Sequence, residues 1–99
     1  MADYEFPPDL IAAQQAFWQA ERRVSAAYAA LPSSVSIAAQ EADVTEEQQR
    51  ELDDARAKQG HCIDAIYGDP FWDDVADKYA AKIALEKAAK VALEKAAKA

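Results

Sequence analysis

The run FPPDLIAAQQAFWQAERRVSAAYAAL (residues 6–31) carries one helical period without interruption. Leu10, Phe17, Val24 and Leu31 recur every seven residues, and Ala13, Ala20 and Ala27 take the second position of the same seam. Phe6 extends the series backwards and Tyr28 widens it. Large residues at one seam position and alanine at the other let a neighbouring helix approach closely. Pro7 and Pro8 suit a helix start, since a first-turn proline loses no needed hydrogen bond. Asp9 then meets the positive end of the dipole, and Pro32 disfavours helical geometry at Leu31. A helix over 8–31 follows.

Downstream, PSSVSIAAQEADV (32–44) reads as a loop, or as a loop holding one short helical turn around Ile37–Glu41. A second helix opens at Thr45, where Gln48 completes a capping box and Glu46 and Glu47 fill the first turn. Its stripe is Leu52, Ala55, Gln59, Cys62 and Ile66, with Ile63 beside it. The helix should stop near Tyr67, with Gly68 in the left-handed cap geometry. A third helix is expected over 70–98, behind a cap at Asp69 and a proline at its first position. Trp72, Val75, Ala76, Tyr79 and Ile83 form its apolar stripe.

Beyond Ile83 the pattern turns. IALEKAAK (83–90) is followed by VALEKAAK (91–98), and the earlier stripe would continue onto the charged Glu86 and Lys90. Leu85, Ala89, Ala92, Leu93 and Ala96 lie on a face rotated by more than about 90°. Glu86 with Lys90 and Glu94 with Lys98 stand in the favourable i,i+4 order, so the segment holds a helix with little tertiary help. The expectation is therefore a body over 1–83 and a helical extension over 84–99. A helix over 70–98 is roughly 43 Å long at 1.5 Å per residue, against roughly 33–36 Å for the other two, so its last turns should overhang.

Charge sets limits on function. Residues 1–81 hold six Lys/Arg against sixteen Asp/Glu, a net −10, while residues 82–99 carry a net +3. An acidic body repels phosphates, so nucleic acid is not an expected partner. No run approaches the roughly 20 apolar residues that a bilayer span needs, and no membrane partner is expected. Asp3 and Glu5 make the N-terminus acidic, without the apolar run of a signal peptide. The lone Cys62 has no internal disulfide partner, and the simplest location is the cytoplasm.

Reactive constellations are missing from the pattern. His61 and Cys62 are adjacent and point about 100° apart on a helix, which reads as a surface histidine and a core thiol rather than as zinc ligands. Asp73, Asp74 and Asp77 sit where early helix turns favour carboxylates, and Asp53–Asp54 reads the same way. No catalytic, metal-binding or cofactor-binding residue is assigned, and the chain is not expected to be an enzyme. Four residues are candidates for partner contact. Trp18 lies on the shoulder of the first helix, and Leu85, Val91 and Leu93 lie on the expected overhang.

The segments FPPDLIAAQQAFWQAERRV (6–24) and YGDPFWDDV (67–75) together resemble small uncharacterised helical proteins of actinobacteria. Those pair an FP-DL-AQ segment with a later HP-[FYW]-W turn; here Asp69 stands where the histidine is expected. The resemblance spans about the first 80 residues and implies a helical fold, with no activity to carry over. The repeated ALEKAAK tail is similar to designed rigid helical spacers, which suggests an engineered extension.

The resulting expectation is an all-α, antiparallel three-helix bundle with an extended C-terminal helix. Its role would be a non-enzymatic scaffold or protein–protein interaction module, meeting another protein or a second copy through the C-terminal helix. A second reading is an acidic decoy that binds a basic, nucleic-acid-binding protein by imitating phosphate charge.

Overall fold

Two prolines start the first helix. Pro7 stays outside it in an extended conformation (φ −56°, ψ 141°), and Pro8 opens α1, which spans Pro8–Ala29. The structure, a computed structural model, describes residues 4–98; Asp3 of the acidic N-terminus and Ala99 at the end of the tail lie outside the described residues. The connection holds α2 (Ser34–Ala38), capped by the Ser33 hydroxyl. It closes on Gln40 at φ 60°, with the Glu41 N–H donating to Ser36 O at 2.9 Å and the Gln40 N–H to Ile37 O at 3.1 Å. That bond pair is a left-handed helix stop carried here by a non-glycine residue.

α3 (Glu46–Tyr67) begins behind the expected capping box. Thr45 Oγ1 accepts the Gln48 N–H at 3.0 Å, and Gln48 Oε1 accepts the Thr45 N–H at 2.9 Å. A 3₁₀ turn over Pro70–Asp74 follows, and then α4 (Lys78–Lys98). No strand occurs among the described residues, so the fold is all-α.

The bundle runs up, down and up. α3 is antiparallel to α1: Arg23 clasps Glu51 with two 2.7 Å hydrogen bonds, and Gln48 Nε2 donates to Ala30 O at 3.0 Å. At the other end Ile66 shares a cluster with Leu10. α4 then returns alongside α1, with Ala81 and Leu85 in the same cluster and Gln15 Nε2 donating to Ala89 O at 3.2 Å. Both α3 and α4 pack chiefly on α1 rather than on each other. The molecule is therefore long and flat, measuring 57 × 33 × 20 Å. Its radius of gyration is 17.8 Å, against about 13 Å for a compact chain of 100 residues.

The third long helix departs from expectation. Its stripe of Trp72, Val75, Ala76, Tyr79 and Ile83 is not one face of one helix, because Val75 is extended (φ −90°, ψ 120°). A fresh cap then follows: Asp77 Oδ1 accepts the Ala80 N–H at 3.0 Å and Asp77 O accepts the Ala81 N–H at 3.1 Å. The interruption rotates everything after it. Tyr79 is 76% and Ile83 48% exposed, while Ala81, Leu85 and Ala89 are fully enclosed. Leu85, expected on a protruding face, is one of the two largest fully buried side chains, the other being Leu10. Geometry gives the reason. On an unbroken helix Trp72 and Leu85 would point about 140° apart, yet both are buried in one cluster.

Gly68 also differs from expectation. Its φ is −81°, so no left-handed conformation is involved. A Cβ placed there would stand 2.6 Å from Asp64 O, and close approach is what this position requires. No helix among the described residues is long and apolar enough to cross a membrane.

Two measurements check this arrangement. Leu85→Ala should cost about 2–5 kcal/mol in urea unfolding, whereas Tyr79→Ala and Ile83→Ala should stay within about 0.5 kcal/mol. Equal costs at the three positions would mean that the phase of α4 is wrong. The second concerns Glu51, whose carboxyl is held below the usual glutamate range chiefly by the hydrogen bonds from Arg23, which outweigh desolvation, with the charge of Arg23 adding to the lowering. A carboxyl lowered on folding adds stability above its unfolded value and loses it as pH falls through the folded one. Both groups are nearly half exposed, so solvent screens the gain. NMR titration should find Glu51 lowered in the native chain and raised back towards the ordinary value by Arg23→Gln.

Candidate functional site

The α1-centred packing leaves an open channel. Because α3 and α4 lean on α1 rather than on each other, a groove of about 490 Å³ lies between them. α1 supplies its floor with Gln14, Phe17, Trp18 and Glu21. Ile63, Ile66 and Tyr67 form the α3 wall, and Lys82 and Glu86 form the α4 wall. A second recess of about 350 Å³ continues it at the 3₁₀ turn, sharing Tyr67 and Lys82 and adding Trp72, Lys78 and Tyr79.

Local structure fixes each wall. Trp72 is buried with its indole N–H donating to Ile66 O at 2.7 Å, and Tyr67 packs on it with ring centroids 5.6 Å apart. Phe71 meets Phe6 at 5.1 Å and Trp72 at 5.3 Å. The two segments FPPDL and DPFW, far apart in the chain, thus close one end of the bundle together. Tyr79, Lys82, Ile83 and Glu86 share one face of α4, and that face borders the groove because the break at Val75 turned it away from α1.

Gln14 is the informative floor residue. It is only 4% exposed and is the one buried polar side chain among the described residues. No enclosed polar atom is left without a partner, and no hydrogen bond to the Gln14 amide is formed within the described residues, so the amide meets the groove. Around it the surface is about as polar as it is apolar, with the aromatic and aliphatic side chains of Phe17, Trp18, Ile63, Ile66 and Tyr67 beside Glu21, Lys82 and Glu86, which stand outside any ion pair among the described residues. Such a surface matches a partner that brings apolar and polar side chains together.

The four expected contact residues are scattered. Trp18 lies half-buried in the groove floor. Leu85 is removed from the set, since it is sealed against Leu10, Ile66, Trp72 and Ala81. Val91 and Leu93 are exposed near the end of α4, at 41% and 39%, away from the groove of their own chain. Cys62 is buried and His61 exposed. Among the described residues, no three or more His, Cys, Asp or Glu side chains gather as a metal site would require.

Gln14, Ile63, Tyr67, Lys82 and Glu86 were missed as site residues.

Fold and groove together define an all-α domain with an aromatic, open cleft. The chain belongs to the family described as a domain of unknown function (DUF8825), whose model matches residues 9–88. That span takes in the cluster from Leu10 to Leu85 and stops just before the buried Ala89 and the exposed Val91 and Leu93. No curated protein and no solved structure matches the chain.

The state of Gln14 is open to measurement. Gln14→Leu keeps its bulk and removes an amide without a partner, so unfolding stability should be unchanged or rise by up to about 1 kcal/mol. A loss of that size would show the amide to be bonded inside the fold.

Proposed function

We propose that this chain is a non-enzymatic interaction module that docks an amphipathic helix of another polypeptide in the groove between α3 and α4. One observation carries the reading: a groove walled by Phe17, Trp18, Ile63 and Tyr67 ends on the Gln14 amide, which reaches the solvent there and is hydrogen-bonded to no other described residue. A helix laid in a groove buries apolar anchors at i, i+3 or i+4 and i+7, and the groove runs on into the recess at the 3₁₀ turn through the shared Tyr67 and Lys82. A polar side chain at its margin, or a retained water, would meet Gln14. Trp18 and Tyr67 are the residue types that carry most energy at such contacts.

Residues 91–98 repeat the preceding octad and lie beyond the family match, and we read them as a rigid helical arm added to the domain, natural or engineered. A second reading, the acidic decoy, is favoured by the exposed carboxylates Glu46, Glu47, Asp53, Asp54 and Asp64 along α3. Salt separates the two, because charge imitation weakens steeply with ionic strength while groove docking keeps its apolar share.

The test is a display selection of helical peptides against the full chain, with binders mapped by NMR. Shifts should cluster at Trp18, Ile63 and Tyr67, and Ile63→Asp should weaken binding by about tenfold or more, about 1.4 kcal/mol. Binders that map elsewhere, or that ignore Ile63→Asp, would refute groove docking.

A further inference from the structure

We propose that the groove's occupant is the C-terminal arm, residues 90–98, of a second copy of this chain; the proposal rests on the groove being a docking surface. The arm continues a buried face. Ala81, Leu85 and Ala89 are sealed against the bundle, and Ala92, Leu93 and Ala96 extend the same side of α4 by the helical period. Past Ala89 the cover on that side thins out: Ala92 is half-buried, Leu93 is 39% exposed and Ala96 is exposed. Alanines flanking a single leucine make a slender stripe, able to enter a channel between two helices and place one anchor there.

The arm cannot fill the groove of its own chain. α4 is one uninterrupted helix over Lys78–Lys98, and its first half already forms a wall of that groove. The occupant has to come from another molecule.

Charge selects which surface the arm meets. It carries Lys90, Lys95 and Lys98 against Glu94, so two arms side by side repel. Residues 1–81 hold a net −10, and the groove's rim carries Glu21 and Glu86 against the single cation Lys82. Arm-to-body contact is attractive where arm-to-arm contact is not. Each copy owns one arm and one groove, so a reciprocal exchange about a two-fold axis closes the pair and leaves no open end. The contact is small, and a weak, concentration-dependent dimer is the expected form.

The experiment is sedimentation velocity on the full chain from micromolar to millimolar concentration. Three samples are compared: native chain, Leu93→Asp and Ile63→Asp. Both positions are substantially exposed, so both variants should keep the native helical circular dichroism. The native chain should dimerise, with the dimer weakened at 1 M salt, where the Debye length is about 3 Å. Each variant alone should associate at least about tenfold more weakly. An equimolar mixture should recover part of the dimer, because it unites one intact arm with one intact groove.

Loss of dimer in Leu93→Asp with an unaffected Ile63→Asp would mean arm-to-arm pairing and would overturn the proposal. So would a mixture that stays monomeric, a dimer indifferent to salt, or a native chain that stays monomeric throughout. The selected helical peptides keep the two levels apart. A monomer that still binds them at Ile63 loses only the second copy as occupant, whereas one that binds none there loses the docking groove as well.

Discussion

The indole N–H of Trp72 donating to Ile66 O is the bond on which the rest of the arrangement turns. A buried tryptophan needs a partner for its single donor, and the end of α3 offers one of its last carbonyls, which lack an intrahelical partner. Taking it draws the 3₁₀ turn back over the end of α3 and fixes Tyr67 and Phe71 against the ring. A helix continued directly from that turn would point Leu85 away from α1. The extended Val75 and the new cap at Asp77 resolve the conflict. Burying a leucine fully is worth about 1.5–3 kcal/mol, which offsets the few hydrogen bonds displaced at a short break, one of them replaced by the Asp77 carboxylate.

Where one physical signal dominated, the sequence could be read. α1 combined two prolines with an uninterrupted seven-residue repeat, and α3 had a capping box followed by spacings of three and four. The start of the last helix was ambiguous because carboxylates serve two purposes. Asp73, Asp74 and Asp77 look alike as partners for a helix dipole, yet Asp77 alone is a cap. The stripe through Trp72, Tyr79 and Ile83 carried larger side chains than the one through Ala81, Leu85 and Ala89, so size argued for the wrong face. A break of a few residues shifts helical phase without changing composition, and no periodicity count across it could detect that. The same limit applies to Gly68, where a close carbonyl, invisible in a chain of letters, replaced the expected positive φ.

The groove was legible only at Trp18, which stood off its helix's seam. Gln14 passed unnoticed within an alanine-rich run, since one amide hardly alters an apolar average. Tyr67 marked the end of a helix, and Glu86 stood as the charged partner of Lys90. What joins these residues is distance in space, set by two helices leaning on a third. That relation depends on the phase of α4, so an error at Asp77 hid the site as well as the core.

Alanine links the shape of the molecule to its readiness to bind. Among the described residues five of the eleven buried apolar side chains are alanines, which permit close helix contact but remove little area from water. A seam of small residues draws α1 against each neighbour without the bulk to pull α3 and α4 together, so the bundle stays flat and its cleft stays open. A chain of this size has a modest stability margin. An occupant lying on Trp18, Ile63 and Tyr67 adds apolar burial that the isolated fold lacks, and binding only the folded state stabilises it in proportion to the logarithm of ligand concentration over the dissociation constant. The economy of the core and the openness of the groove thus have one physical origin.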